Sequence, residues 1–332
     1  MADDAISIAM TTFNGQRHIV EQLASLAAQT GKPFELVICD DGSTDATYGM
    51  LQSFARHAPF QVRLFQNEQR LGYRLNFMRA ASLCQGSLVA FCDQNDIWHE
   101  DKVRTLVAHF ATSADLTVSH DFEVFFDDER AGIASYFQYL QQSGLRRAHN
   151  IKGCSLAFRQ ELIAKFGWPD PRSKVSHDVW VCLIAALIER RGYLSNALLR
   201  YRIHANNTSG LVRGGDNPVA WFLRRLPLPP FTSRDERDVM LGFLIPDLLP
   251  DHQYQYVHEF LSSTRCDLSS RQREYALVGL ERNRAIRQLI TSESYRRPIA
   301  RIGRALSLFL QMAYRNGGGA QGLAVDILGR RV

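Results

Sequence analysis

The amino-acid sequence predicts an α/β fold in which helices cover an open, mostly parallel sheet. Over residues 6–120, short apolar runs alternate with segments whose apolar residues recur at helical spacing, the pattern of a layered β/α sheet. The runs are almost wholly apolar, as expected for strands covered on both faces. Three of them end in short polar segments, at the positions where open sheets of this kind bind ligands.

The predicted strands and helices alternate in order along the chain. Strands are predicted over 6–10, 34–39, 61–65, 87–92 and 115–120. The helices between them are predicted from about residue 19, up to about residue 56, over 74–84 and after Trp98.

The middle region, residues 121–210, is less regular. It contains a predicted strand over 153–158, a largely buried helix over 178–190 and an extended segment over 193–204. After Gly210 the chain mixes prolines with bulky apolar and basic residues, and mostly helical patterns follow. We therefore predict a sheet-containing domain over 1–212 and a mainly helical extension over 213–332.

The composition is that of a globular protein. The 332 residues are 45% hydrophobic and 22% charged, with a net charge of +5, which excludes a disordered chain and gives no argument for a nucleic-acid partner. The six cysteines (39, 84, 92, 154, 182 and 266) form no C-x-x-C pair and are predicted to be reduced core thiols. Without a secretion signal or an apolar stretch of ~20 residues, we expect a cytoplasmic protein or one attached to the inner face of the cytoplasmic membrane.

The polar segments after the strands are the first functional signal: "TTFNG" (11–15), "DDGSTD" (40–45) and "DQND" (93–96). In "DDGSTD", Gly42 suits a turn, and Ser43 or Thr44 suits the cap of the next helix. These roles leave the repulsion between the adjacent carboxylates of Asp40 and Asp41 unexplained. A nucleoside, with its base N–H and ribose hydroxyls, is one candidate partner for them, and a plain polar turn is the alternative.

The segment "DQND" is either a polar turn or a cation site. Mg²⁺ and Mn²⁺ take oxygen ligands, commonly one or two carboxylates together with substrate phosphates. The neighbouring "DDGSTD" favours the cation. The sequence has no G-x-G-x-x-G after the first strand, no G-x-x-x-x-G-K-[ST] and no G-x-S-x-G, which argues against a Rossmann dehydrogenase, a P-loop NTPase and an α/β-hydrolase.

Seven segments together carry a family resemblance. In order they are "SIAMTTFNGQRHIVEQLASLAAQT", "ELVICDDGSTDAT", "LGYRLNFMRA", "VAFCDQNDIW", "IKGCSLAFR", "HDVWV" and "YRIHANNTSG". They resemble the family 2 glycosyltransferases of the GT-A fold, in particular bacterial rhamnosyltransferases, over roughly residues 5–210. The resemblance implies a mixed, mostly parallel sheet flanked by helices. It also implies transfer of a sugar, with inversion, from a nucleoside-diphosphate donor to an acceptor hydroxyl.

The resemblance assigns the nucleotide to the strand ends and a divalent cation to "DQND". The residues expected to bind the nucleotide are Thr11, Phe13, Asn14, Asp40, Asp41 and Asp93, the last beside the ribose. Asn95 stands where the family usually has the metal-ligating aspartate, so metal affinity should fall unless another ligand compensates. Asp96 and His204 are the candidate ligands, although His204 is equally a structural histidine at a strand end. A nitrogen ligand suits Mn²⁺ somewhat better than Mg²⁺, and either ion is the expected cofactor.

The resemblance places the catalytic base at Asp178 in "HDVWV". A carboxylate in the first turn of a helix is also a good partner for the helix dipole, which is the structural alternative. His177 is expected to orient the acceptor or the base. The other residues assigned to the surface where donor sugar and acceptor meet are Gly153, Cys154 and Trp180.

Arginines downstream are candidates for the diphosphate. Arg202 and Arg213 carry guanidinium groups that match phosphate oxygens, although Arg213 also suits a solvated surface. Residues 296–315 contain five arginines, no acidic residue and apolar residues at helical spacing. That pattern is typical of a helix on an anionic membrane surface, or of a helix packed on the catalytic domain.

The expected partners follow from the resemblance. They are a dTDP-rhamnose or UDP-sugar donor, a glycan or lipid-linked acceptor of cell-surface polysaccharide (O-antigen or capsule) synthesis, and the inner membrane surface; a homodimer stays open. A non-catalytic nucleotide-sugar-binding assembly subunit is one alternative, which the intact "HDVWV" disfavours. A nucleotidyltransferase is another, but it should carry a Gly-rich basic loop where this chain has "TTFNG".

Overall fold

The computed structural model of the chain shows a sheet that occupies most of residues 5–204. The residues described are 5–127, 131–142, 147, 150–173, 175–187, 190–204 and 258–263, with the single positions 270, 273, 274 and 277. The predictions for Arg213, for Cys266 and for the arginine-rich segment 296–315 lie outside these residues.

The described elements follow the predicted order. The strands are β1 (Ile6–Thr12), β2 (Glu35–Asp40), β3 (Gln61–Gln66), β4 (Leu88–Cys92), β5 (Ile97–Trp98), β6 (Thr117–Phe126), β7 (Leu156–Arg159) and β8 (Arg191–Ile203). The helices are α1 (Ile19–Ala27), α2 (Thr47–His57), α3 (Tyr73–Leu83), α4 (Lys102–Thr112), α5 (Tyr136–Gln142), α6 (Gln160–Phe166) and α7 (His177–Leu187). A 3₁₀ turn, Gly153–Ser155, takes the first half of the predicted strand 153–158. Three elements, β5, α5 and α6, were not predicted.

The eight strands form one mixed sheet in the order β3-β2-β1-β4-β7-β6-β8-β5. The neighbours β3, β2, β1 and β4 are parallel to one another, and β6 is parallel to β8. Strand β7 runs antiparallel to both β4 and β6, and β5 runs antiparallel to β8. This confirms the predicted mixed, mostly parallel sheet flanked by helices.

Two apolar cores lie on the opposite faces of the sheet. In the central strands β1, β2 and β4 every residue is buried, because alternate side chains enter one core or the other. Strand β3 differs from the prediction of full burial. Within the described sheet it is an edge strand paired with β2, and its two end residues are exposed.

One described piece of the C-terminal region packs on the sheet domain. Residues 258–262 are helical, and Phe260 and Leu261 are buried in the core that contains α6 and α7. The five described cysteines are buried and unpaired, which agrees with the predicted reduced core thiols. Among the described residues, no helix is long and apolar enough to cross a membrane.

Candidate active site

The carboxyl ends of β1, β2 and β4 lie side by side because these strands are parallel neighbours. The register pairs Thr12 with Asp40 and Met10 with Cys92. The three polar segments that follow these strands therefore start at one edge of the sheet, as the sequence predicts.

Asp40 is buried at the end of β2, where donors from within the chain hold it. Its Oδ1 accepts hydrogen bonds from the hydroxyls of Thr12 (2.8 Å) and Ser43 (2.6 Å). Its Oδ2 accepts the backbone N–H of Ser43 (2.9 Å) and the side-chain amide of Gln66 (3.3 Å). An ionised carboxylate has about four lone-pair sites, so these four donors fill it.

Asp41 is buried and satisfied in the same way. Its Oδ1 accepts hydrogen bonds from the side chain of Asn67 and the backbone N–H of Leu71, both at 2.7 Å. The backbone N–H of Gly72 donates to its Oδ2 at 2.8 Å. The argument that a nucleoside must offset the repulsion between Asp40 and Asp41 is therefore wrong, since internal donors offset it. Nucleotide contact by either residue stays a prediction.

Asn14 joins the segment after β1 to the segment after β2. Its backbone has a positive φ of 47°, and its N–H donates to the Ser43 hydroxyl at 2.9 Å. Its side-chain oxygen accepts the N–H of Thr44 at 2.8 Å. Thr11, also predicted to bind nucleotide, is only 9% exposed at the end of β1. These hydrogen bonds therefore fix the conformation of the loop without a ligand.

Phe13 joins the segment after β1 to "DQND". Its N–H donates to the Gln94 side-chain oxygen at 2.9 Å, and the Gln94 amide donates back to its carbonyl at 3.1 Å. A Cβ at Gly15 would lie 2.3 Å from that Gln94 oxygen, so a side chain there would have to displace the Gln94 amide from Phe13. The exposed guanidinium of Arg70 lies over the Phe13 ring, 3.8 Å from its centroid. Phe13 and Arg70 together offer an aromatic face and a positive charge at the rim.

Asp93, Asp96 and Cys154 form a cluster that we name the carboxylate corner. One oxygen of each aspartate and the Cys154 Sγ lie within 4.8 Å of one another. Asp96 is fully buried, and its Oδ1 accepts the backbone N–H of Arg202 at 3.1 Å. Its Oδ2 is buried without a hydrogen-bond partner among the described residues. The corner therefore holds an acceptor that the described part of the protein does not satisfy.

The environment of the carboxylate corner disfavours the ionised forms of its two aspartates. Burial raises the pKa of Asp93, and the charge of Asp178 raises it further. Burial also raises the pKa of Asp96, to which the charge of Asp93 adds. The Cys154 thiol has its pKa raised well above the usual value by burial, so it stays protonated at neutral pH. Positive charge near the two aspartates stabilises their ionised forms.

The structure separates the three predicted metal ligands into two groups. The Asn95 side-chain amide lies 2.7 Å from Nε2 of His204, whereas Asp96 belongs to the carboxylate corner. The ring of His18 lies 5.2 Å from the ring of His204. Burial lowers the pKa of His204, and burial together with the charge of Arg202 lowers that of His18. Both imidazoles are therefore mainly neutral at pH 7, the form that ligates metals.

Arg202 is engaged by the chain instead of facing an empty cleft. Its Nε donates to the Asn95 carbonyl at 2.9 Å. One terminal nitrogen donates to Asp127 at 3.0 Å, and the other pairs with Glu21. These contacts contradict the predicted diphosphate role for Arg202, because its charge is already paired. It anchors β8 to "DQND" and so holds His204 beside Asn95.

Asp178, the predicted base, lies in the first turn of α7. The Ser176 hydroxyl and the Val179 N–H (2.8 Å) both donate to its Oδ1. A Cβ on Gly153 would lie 3.9 Å from the other oxygen, Oδ2. The carboxylate is thus fixed through one oxygen, and the second oxygen faces the Gly153 turn.

His177 is buried beside the base. Its ring stacks on Phe77 with 4.3 Å between centroids and meets the edge of Phe91 at 4.7 Å. Its two nitrogens are buried without a hydrogen-bond partner among the described residues, and burial lowers its pKa. A Cβ at residue 153 would lie 3.0 Å from Nε2, so glycine is favoured at that position. The orienting role of His177 stays a prediction.

Two residues predicted at the sugar surface lie elsewhere. Trp180 is fully buried, with its indole N–H donating to the Gly167 carbonyl at 2.8 Å and its ring 5.1 Å from that of Phe260. It is a core residue, which contradicts a sugar contact. Cys154 is 1% exposed and belongs to the carboxylate corner, so its side chain does not line the acceptor surface.

A divalent cation suits the polar groups gathered here. The unsatisfied Asp96 oxygen and the clustered Asp93 are the oxygen donors that such ions prefer. A half-turn of the Asn95 amide brings its oxygen beside Nε2 of His204, which offers a second pair of donors. The residues that can hold a cation are therefore Asp93, Asp96, Asn95 and His204.

Several residues of the site escaped the sequence reasoning. Ser176 could have been found from its position two residues before the base. The pairing of Gln94 with Phe13 and the stacking of Arg70 depend on loop geometry that no sequence period reveals. The residues of the site that were missed are Arg70, Gln94 and Ser176.

Comparison with known proteins agrees with this arrangement. Residues 7–167 match the family model described as "Glycosyl transferase family 2". An uncharacterized glycosyltransferase of Nostoc sp. is 27% identical over 221 residues, covering 61% of this chain and 66% of that protein, just under two thirds of its length. The dTDP-rhamnosyl transferase RfbG of Shigella flexneri is 24% identical over 214 residues, covering 60% of this chain and 73% of that protein.

A solved structure has the same fold. The crystal structure of S. aureus TarS 1-349 in complex with UDP superposes with a TM-score of 0.54 at 19% identity, covering 91% of this chain and 87% of that chain. The sheet, the polar strand ends and the sequence matches agree on a GT-A fold. Residues 7–167, just under half of the chain, therefore match glycosyl transferase family 2 in sequence, and the described sheet agrees with the GT-A fold.

Proposed function

We propose that the chain is an inverting glycosyltransferase of cell-surface polysaccharide synthesis. It transfers a sugar from a nucleoside-diphosphate donor to a hydroxyl of a glycan or lipid-linked acceptor. The family match and the similarity to a dTDP-rhamnosyl transferase support the reaction class, and a deoxythymidine or uridine diphosphate sugar is the proposed donor. The similar TarS structure contains UDP.

One observation carries the proposal: two consecutive residues connect the base to the carboxylate corner. The turn at Gly153 borders Oδ2 of Asp178, and the next residue, Cys154, places its sulfur within 4.8 Å of Asp93 and Asp96. A base and a cation corner thus lie on the two sides of one short turn. A displacement at a sugar carbon needs that arrangement, with the proton acceptor on one side and the leaving diphosphate on the other.

The proposed reaction follows from this arrangement. Oδ2 of Asp178 accepts the proton of the acceptor hydroxyl while the hydroxyl oxygen forms a bond to the anomeric carbon. The bond from that carbon to the diphosphate oxygen breaks, and the diphosphate leaves with the electron pair. The hydrogen bonds from Ser176 and Val179 to Oδ1 keep the carboxylate aimed during this step.

The other residues bind and position the donor. Phe13 and Arg70 at the rim supply an aromatic face and a charge for the nucleotide, while Asn14 fixes the loop. Asp93 and Asp96 hold the divalent cation, and Asn95 and His204 offer a separate pair of donors. When bound, the cation offsets the charge that grows on the departing diphosphate. We propose Mn²⁺ or Mg²⁺ for this role.

The non-catalytic alternative is less favoured by the structure. A protein that only binds a nucleotide sugar has no need of an aimed carboxylate at Asp178 with one oxygen directed to the turn. The membrane contact and the homodimer rest on residues beyond 212, and they stay part of the proposal without structural support.

A turnover assay tests the proposal. The full chain is incubated with UDP-glucose, UDP-N-acetylglucosamine or dTDP-rhamnose, each with Mn²⁺ or Mg²⁺, and an extract of polyprenyl-linked oligosaccharides as acceptor. We expect acceptor-dependent release of the nucleoside diphosphate from at least one donor. Release from none of them, in a preparation whose melting temperature a nucleotide does raise, favours the non-catalytic alternative.

A further inference from the structure

Lys102 is a buried cation whose position the proposed transfer reaction does not explain. It is 0% exposed, and among the described residues Arg202 is the other lysine or arginine that is buried. Arg202 is paired with Glu21 and Asp127, whereas Lys102 forms no ion pair within 4.0 Å with any residue that the structure describes. Burying an ammonium group is costly unless opposite charge compensates it.

Local structure does not account for Lys102 either. It is the first residue of α4, at the positive end of the helix dipole, where a cation is unfavourable. Its Nζ donates one hydrogen bond, to the Cys154 carbonyl at 2.7 Å, and lies 3.6 Å from the centroid of the Trp98 ring. An ammonium group has three N–H donors, so one carbonyl and one ring leave it poorly satisfied.

The compensating charge lies in the carboxylate corner. Lys102 contacts the backbone of Cys154, whose sulfur is within 4.8 Å of oxygens of both Asp93 and Asp96. The positive charge of Lys102 favours the ionised form of each of these aspartates. Asp96 is as deeply buried as Lys102, and water screens their attraction little.

We propose that Lys102 is a built-in counter-cation that holds the carboxylate corner together when no divalent ion is bound. The corner then carries less net negative charge than its two aspartates suggest, and binding of a free divalent ion is weak. The ion binds well only with ligands from elsewhere, such as donor phosphates. This inference rests on the proposed cation site but not on sugar transfer.

The test is a double-mutant cycle on the full chain. Lys102→Met keeps the length of the side chain and removes its charge, and we expect the melting temperature to fall by about 5–10 °C without added metal. Asp96→Asn removes one of the opposite charges and is the second single variant of the cycle. In the double variant Lys102→Met/Asp96→Asn the fall should be clearly smaller than the sum of the two single effects. Additive effects would overturn the proposal, and the double variant keeps the test usable if Lys102→Met does not fold.

Binding of Mn²⁺ alone gives the second readout. Titration calorimetry or electron paramagnetic resonance should show Lys102→Met binding Mn²⁺ at least ~10-fold more tightly than wild type, because a like charge has gone. Lys32→Met is the control: this lysine is exposed and bonded to the Ala27 carbonyl, and we expect Mn²⁺ affinity to stay unchanged. Equal Mn²⁺ affinity in wild type and Lys102→Met contradicts the proposal. Neither readout depends on turnover, so a failure of the proposed reaction is distinguishable.

Discussion

The acidic side chains near the strand ends fall into two groups, which differ in how many of their oxygens accept hydrogen bonds from within the chain. Asp40 and Asp41 accept hydrogen bonds from within the chain on both oxygens. Asp96 has an oxygen without a partner among the described residues, and Asp178 directs one oxygen to Gly153. All four are close to the ligand-binding edge. The comparison teaches that position at this edge does not by itself mark a carboxylate as a candidate for binding or reaction, whereas an oxygen without an internal donor does.

The largest expected effect is a loss of turnover when Asp178, in the second group, is replaced. Asp178→Asn removes the proton acceptor and keeps the shape, so we expect turnover to fall by about 10²–10⁴-fold while donor binding changes little. Initial rates and donor dissociation constants measure the two effects separately. Asp101→Asn, an exposed aspartate just before α4 whose carboxylate contacts Arg104 and Thr30, is the control and should leave both unchanged. Loss of donor binding in Asp178→Asn would make Asp178 a structural cap.

The next largest effect is a loss of protein stability when Asp40, in the first group, is replaced. Asp40→Asn turns one acceptor oxygen into a donor that faces hydroxyl and N–H donors. We expect the free energy of unfolding to fall by about 2–4 kcal/mol, as for loss of charge-assisted bonds at a buried site. Urea denaturation without ligand measures it. A change below about 0.5 kcal/mol would show that the internal donors around Asp40 do not matter to the fold.

For replacement of Asp93 we expect a smaller change in the free energy of unfolding, and of the opposite sign. Its ionised form is disfavoured by burial and by Asp178, so Asp93→Asn should raise the free energy of unfolding by about 1–2 kcal/mol at pH 7.5 without metal. Burial and the Asp178 charge raise the pKa of Asp93 from 3.8 to about 6 in the folded protein. Between these values the folded state binds more protons than the unfolded state.

The pH dependence follows from that difference. As the pH rises from about 4 to about 6, wild type should lose stability relative to Asp93→Asn, and above that window the difference should stay constant. Urea denaturation of both proteins across this range checks it. If Asp93→Asn proves less stable than wild type at pH 7.5, Asp93 belongs with Asp40 and the comparison fails.

The smallest effect concerns the residue that departs from the family pattern. Asn95→Asp adds a negative charge beside Nε2 of His204, and we expect Mn²⁺ affinity to rise by about 3–10-fold. Titration calorimetry with Mn²⁺ measures it. Gln94→Glu is a control in the same segment, since Gln94 is bonded to the Phe13 backbone and should affect Mn²⁺ less. An unchanged affinity in Asn95→Asp would place the cation away from His204.

Much of the fold was predictable because burial imposes a clear pattern. The strands β1, β2 and β4 are fully buried, so their sequences are apolar runs, and parallel pairing brings their polar ends together. Strand β5 has two residues, and α5 and α6 have seven each, too short for a period to stand out. The edge strand β3 looked buried because its core-facing residues resemble those of a central strand.

The sequence predicted many of the residues that belong to the candidate site, but not how they contact one another. The family resemblance pointed to Asn95 and His204 together, and the structure brings them within 2.7 Å. The satisfaction of Asp40 depends on Thr12, Ser43 and Gln66, which come from three separate segments. Lys102 lies nine residues after Asp93, and nothing in the local sequence shows that its side chain reaches the backbone of Cys154 in the carboxylate corner.

The most direct test of the account measures nucleotide affinity with and without metal. Isothermal titration of UDP and dTDP into wild type and Asp93→Asn, in Mn²⁺ and in EDTA, separates the carboxylate corner from the rest of the cleft. We expect Mn²⁺ to tighten binding of at least one nucleotide to wild type by about tenfold or more, and to have little effect in Asp93→Asn. Equal affinity in Mn²⁺ and EDTA for wild type would contradict the claim that the carboxylate corner holds a cation for the diphosphate.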